Sequence, residues 1–63
     1  MSDFKTRLEA ERVELQEKLQ KLNEFLGTEK CDGIAPDQKT LLIIQSKAMD
    51  TYLQCLEARL VRL

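Results

Sequence analysis

All three helix-breaking residues of this 63-residue chain fall within ten consecutive positions, Gly27 to Pro36. That distribution constrains the fold more than any other feature. Residues 3 to 26 contain neither Gly nor Pro, and Leu, Glu, Lys, Gln and Arg dominate there. These are strong helix formers, so the stretch predicts one helix. Ser2 or Asp3 is placed to cap its start by accepting from a free backbone N–H. Leu8, Leu15 and Leu22 recur every seven residues, with Phe4 before them and Leu19, Phe25 and Leu26 at the far end. This is a coiled-coil-like seam. The pairs Glu14 to Lys18 and Glu17 to Lys21 have the favourable i,i+4 orientation and read as a solvated face. Gly27 follows Leu26 where a left-handed residue commonly ends a helix.

Residues 27 to 35 then read as a connection, with Ile34 placed to tuck against the helix ends. Their glycines match no phosphate-binding spacing. Residues 36 to 63 predict a second helix. Pro36 suits its first position, where the missing N–H costs nothing. Asp37 near the start and Arg59 and Arg62 near the end suit the helix dipole. At 1.5 Å per residue the helices span roughly 36 and 42 Å, and so short a connection folds them antiparallel. The expected architecture is all-α: one helical-hairpin domain over residues 1–63, assembling into a homo-oligomeric bundle.

The oligomer follows from excess apolar surface. Leu42, Met49, Leu56 and Leu63 recur every seven residues, flanked by Leu53 and Leu60. They make a seam for the first helix. Leu41, Ile44, Ala48, Tyr52 and Cys55 form another stripe beside it. The run Leu41-Leu42-Ile43-Ile44 is apolar around most of the helix, which one partner helix cannot cover. A chain this short also buries only about 60% of its unfolded surface and gains from association. Leu41, Leu42, Ile43, Ile44, Ala48, Met49 and Leu56 are therefore expected at the oligomer interface.

Composition narrows the function. Ten basic and eleven acidic residues give a net charge of −1. Sequence-independent nucleic-acid binding needs a basic field, and a polybasic membrane anchor needs the same. Neither partner is expected. The longest apolar run is far below the ~20 residues of a membrane span. Met1 to Lys5 shows no signal-peptide pattern. The chain has no His and two Cys, which is too few ligands for structural zinc and too few thiols for a disulfide framework. No metal and no cofactor are expected. Both thiols are expected reduced in a cytoplasm, Cys55 as a small buried apolar residue and Cys31 as a loop bystander. An enzyme is not expected, because neither Cys has a His to activate it.

One polar series stands out. Gln45, Tyr52 and Arg59 are spaced by seven along the second helix. Gln donates and accepts, Tyr offers a ring and a hydroxyl, and Arg offers a charged planar fork. Two readings of this line stay open. In one, it fixes register between subunits, with Arg59 paired to Glu57 or to a carboxylate of the first helix. In the other, it binds a ligand: Tyr52 stacks on a base or ring and Arg59 pairs with a phosphate or carboxylate. Lys47 and Arg62 lie within a turn and would add positive charge.

The run Leu41-Leu42…Gln45…Met49…Tyr52…Leu56…Arg59, after a Pro-Asp helix start and a charged upstream helix, resembles a family of short proteins from tailed bacteriophages. These include small crAss-like phage proteins and short early-region proteins. The resemblance implies a helical hairpin and an accessory phage protein acting in the host cytoplasm. By analogy with other small helical phage oligomers, it points to a counter-defence sponge that sequesters a nucleotide-type immune signal at subunit interfaces. The alternative is a protein-protein interaction adaptor or inhibitor. It would lay an apolar helix face on a host or phage protein.

Overall fold

The computed structural model describes residues 2–63, and all but a few of these are helical. Helix α1 spans Ser2–Leu26, α2 spans Glu29–Asp32 and α3 spans Pro36–Val61. The Ser2 side chain, one of two expected caps for α1, lies outside what is described. The molecule is a rod of 47 × 14 × 13 Å. Its long helices run antiparallel, because early residues of α1 meet late residues of α3. Arg59 lies over the Phe4 ring, while Ser46 donates to Asn23 Oδ1 at 2.6 Å.

The core is a single leucine seam. Leu8, Leu15 and Leu19 of α1 close on Leu53 and Leu56 of α3, with Met49 and Leu60 packed against them. The heptad leucines thus do what their period implies, burying one stripe of each helix. Two ends of the expected seam fall outside it. Phe4 is 50% exposed, and Leu63 lies past the end of α3, 60% exposed. Between Leu8 and Leu15 the seam passes Arg12, which is half-buried and donates to Gln16 Oε1 at 3.0 Å. That bond lies on the surface, so the charged head stays wet.

The connection differs from expectation in three ways. First, no glycine among the described residues has a positive φ, so Gly27 is not a left-handed terminator. The chain tightens instead: the Gly27 N–H donates to Glu24 O and the Thr28 N–H to Phe25 O. These three-residue bonds satisfy carbonyls that the end of α1 leaves free. Second, the segment holds the short helix α2. Third, Cys31 on α2 is wholly buried, not a bystander. Ile34 is half-buried, as its expected position against the helix ends requires.

Helix α3 starts by proline chemistry. Ala35 is extended at φ −58°, ψ 140°, as a residue before proline prefers. Its carbonyl accepts the Lys39 N–H at 3.0 Å. Asp37 Oδ1 accepts from the Gln38 N–H, occupying another free donor of the first turn. An ion pair ties the connection to this turn, with Lys39 Nζ 2.9 Å from Asp32 Oδ1. The hydrogen bond to Asp32, and then its charge, hold the Lys39 pKa above 10.5. Asp32 is largely and Lys39 partly solvated, and such pairs add little to stability.

Candidate functional site on the flank of α3

At about 100° per residue, the surface of α3 divides into three faces. The first faces α1 and carries Leu53 and Leu56, with Met49 and Leu60 beside them. The second, to one side, carries Leu41, Ile44, Ala48, Tyr52, Cys55 and Arg59, all exposed. The third lies to the other side and carries Ile43 and Val61, with Lys47 further round, all exposed.

The polar line lies on the edge of the second face. Gln45, Tyr52 and Arg59 are all exposed on the hairpin flank. Tyr52 is 46% exposed, which leaves a ring surface open beside Ile44 and Ala48. The Gln45 amide touches Met49 Sδ at 3.8 Å, the point where the line borders the core. Arg59 has a neighbour that the sequence reading missed. Its guanidinium carbon lies 5.9 Å from the centroid of the Phe4 ring. An exposed cation–π contact of this kind contributes about 0.5–1 kcal/mol. Among the described residues, neither Glu57 nor an acidic residue of α1 forms an ion pair with Arg59. Spacing within one helix carries no signal for this contact between helices.

The remaining cations are not gathered at this line. Lys47 sits two positions from Gln45, about 200° round the helix, and faces away from it. Arg62 caps the end of α3 and folds back, its guanidinium donating to Ala58 O at 2.9 Å. Of the five expected ligand residues, the fold brings Gln45, Tyr52 and Arg59 together. Lys47 stands apart, and Arg62 is spent on a helix end.

The expected interface residues also separate. Leu41, Ile43, Ile44 and Ala48 are exposed, Leu42 and Met49 half-buried, and Leu56 has no exposed surface. Leu56 is therefore corrected to the hairpin's own core, where no area remains for a second subunit. Ile43 faces away from Leu41 and Ile44, so the four-residue apolar run serves more than one side. Cys55 is exposed on the flank, opposite to its expected burial.

On the other flank, Gln16, Gln20, Asn23 and Glu24 line an open groove of about 530 Å³ floored by Leu19 and Leu53. None of the expected ligand residues reaches it. Among the described residues no helix is long and apolar enough to cross a membrane.

No curated protein and no solved structure matches the chain. A family model does, and it covers residues 2–62, which is both long helices, the connection and the whole exposed flank of α3: the chain belongs to the Sequestin family.

Proposed function

We propose that this chain is a non-enzymatic binding protein that sequesters a nucleotide-type small molecule at the subunit interface of a homo-oligomer. In this reading it is a phage counter-defence sponge acting in the host cytoplasm. The observation that carries it is the exposed line Gln45, Tyr52 and Arg59 beside an uncovered apolar stripe. The line supplies an amide, an open aromatic face and a planar cation, the groups that recognise a base and a phosphate. The family's name supports the same reading, since sequestering is binding without turnover. The chain's lack of His fits a protein that holds its ligand without converting it.

Calorimetry with linear, cyclic and ADP-ribose-type nucleotides tests the proposal, run beside size-exclusion chromatography. Wild type is expected to bind one class with measurable heat. Arg59→Ala is expected to lose that heat while the assembly persists, because the charge-assisted contact belongs to the ligand. No heat across the whole panel would sink the sequestration reading. A second reading, a protein-binding adaptor, is favoured by Ile43 and Val61, which stay exposed on the other flank of α3.

A further inference from the structure

The exposed flank of α3 has the same spacing in both chain directions. Leu41, Ile44, Ala48, Tyr52 and Cys55 are closed by Asp37 at one end and Arg59 at the other. The intervals from Asp37 to Arg59 are 4, 3, 4, 4, 3 and 4. At about 100° per residue, all seven lie within an arc of about 80°. All seven are exposed in the single hairpin, Leu41 by 57% and Ile44 by 56%.

We propose that a second copy of this chain pairs antiparallel along α3, across a twofold axis at Ala48. Turned end for end about Ala48, the flank superposes on itself. Leu41 meets Cys55 of the partner subunit, Ile44 meets the partner's Tyr52, and Asp37 meets the partner's Arg59. Each pair is chemically matched, two apolar and one of opposite charge, and symmetry supplies each twice. The small residue falls on the axis, where two helices must approach most closely. Intervals of three and four are those at which packed helices meet. A parallel pairing would set Asp37 against Asp37 and Arg59 against Arg59. A palindromic spacing with complementary ends is a property that a copy of the same helix matches. Among the described residues neither Asp37 nor Arg59 has an ion-pair partner in its own chain. Arg59 also touches Phe4, so α1 helps to hold the cation at the end of the flank.

The pairing rests on the homo-oligomer that the sequestration reading invokes; it covers one side of the Tyr52 ring and leaves a ligand the edge that carries Gln45. It needs no ligand, and its test contains none. The Asp37–Arg59 pairs sit at the solvated ends, about 16 Å from the axis at 1.5 Å per residue. Losing one side of such a pair weakens a dimer little, whereas opposing like charges costs far more.

Cross-linking and charge exchange test it together. In a background with Cys31 and Cys55 changed to Ser, Ala48→Cys places two thiols at the axis, within the ~4.4–6.8 Å Cα separation of a disulfide. Oxidation is expected to give nearly complete covalent dimer. Leu41→Cys is expected to give almost none, because the two copies lie about 21 Å apart along the pair. By ultracentrifugation at low salt, Arg59→Asp is expected to raise the dimer dissociation constant at least about tenfold. Adding Asp37→Arg is expected to bring it back to within about threefold of wild type. Circular dichroism on every variant confirms helicity. A monomeric wild type, cross-linking at Leu41 equal to that at Ala48, or a double variant no tighter than Arg59→Asp would each overturn the pairing.

Discussion

Leu56→Ala measures where the core of this hairpin lies. Leu56 is wholly buried in the cluster with Leu8, Leu15, Leu19 and Leu53. The substitution removes three carbons. At ~0.8 kcal/mol per buried methylene the transfer loss is about 2.4 kcal/mol. A cavity adds to this, and buried Leu→Ala changes fall at roughly 2–5 kcal/mol. A hairpin only 14 × 13 Å in cross-section can collapse around the gap. The lower half of that range applies, about 3 kcal/mol. A 63-residue domain holds roughly 3–9 kcal/mol in all, at ~0.05–0.15 per residue. The variant is therefore expected near the edge of unfolding. Small domains lose about 4–8 °C of Tm per kcal/mol, so the drop is roughly 12–24 °C. Thermal melts by circular dichroism, repeated over a hundredfold range of protein concentration, are the assay. Val61→Ala, at a site 83% exposed, is the control and is expected to change Tm little. Leu56 packs within one chain, so the difference from wild type should hold at every concentration. A drop under about 4 °C would refute the core assignment. A drop that vanishes at high concentration would place Leu56 between subunits.

Two further outcomes follow from the connection and the thiols. Gly27→Ala is expected to be neutral or to stabilise by up to ~1 kcal/mol in a denaturant titration. Its φ is not positive, and a new Cβ would find Glu24 O at an ordinary 3.6 Å. A clear loss of stability would mean that the position needs a left-handed residue after all. Cys31 is expected to resist a thiol reagent until denaturant is added, because its own chain buries it. Cys55 is expected to react slowly in the assembled protein and quickly in Ile44→Glu, which puts a charge into the pairing flank. Equal rates for Cys55 in both would remove it from any interface.

The long-range form of the fold was legible because it follows from periodicity. Leu8 and Leu15 repeat at seven, so do Met49 and Leu56, and a stripe at that interval has to be buried along its length. The place where it turns was legible from Gly27, Gly33 and Pro36. Local burial in the turn was not. Cys31 and Cys55 exchanged their expected burial for different reasons. The stripe of Leu53, Leu56 and Leu60 faces α1, as its period indicates, and Cys55 belongs to the second stripe, which the single hairpin leaves uncovered. In the connection there is no period to read, and the single turn of α2 that buries Cys31 forms because short bonds from Cys31 N–H to Thr28 O and Gly33 N–H to Lys30 O close it.

The candidate site was legible in the same partial way. Seven-residue spacing puts Gln45, Tyr52 and Arg59 on one line whatever the fold around them. It cannot say whether that line is wet in the assembly, and the choice between a register network between subunits and an open ligand surface turns on that. The single hairpin leaves the line exposed, and within one chain Arg59 has the Phe4 ring as its neighbour and no ion-pair partner among the described residues. This changes what Arg59→Ala should do. A buried ion pair that loses one partner is destabilised by ~3–5 kcal/mol. An exposed guanidinium lying on the Phe4 ring gives up only about 0.5–1 kcal/mol of cation–π attraction. Its removal should therefore cost the hairpin little and the dimer little, while any phosphate-bearing ligand loses its main charged contact. In the proposed assembly the three effects differ in size because the one cation would have three neighbours of unequal strength: the ring in its own chain, a solvated carboxylate on the partner, and a ligand on the flank.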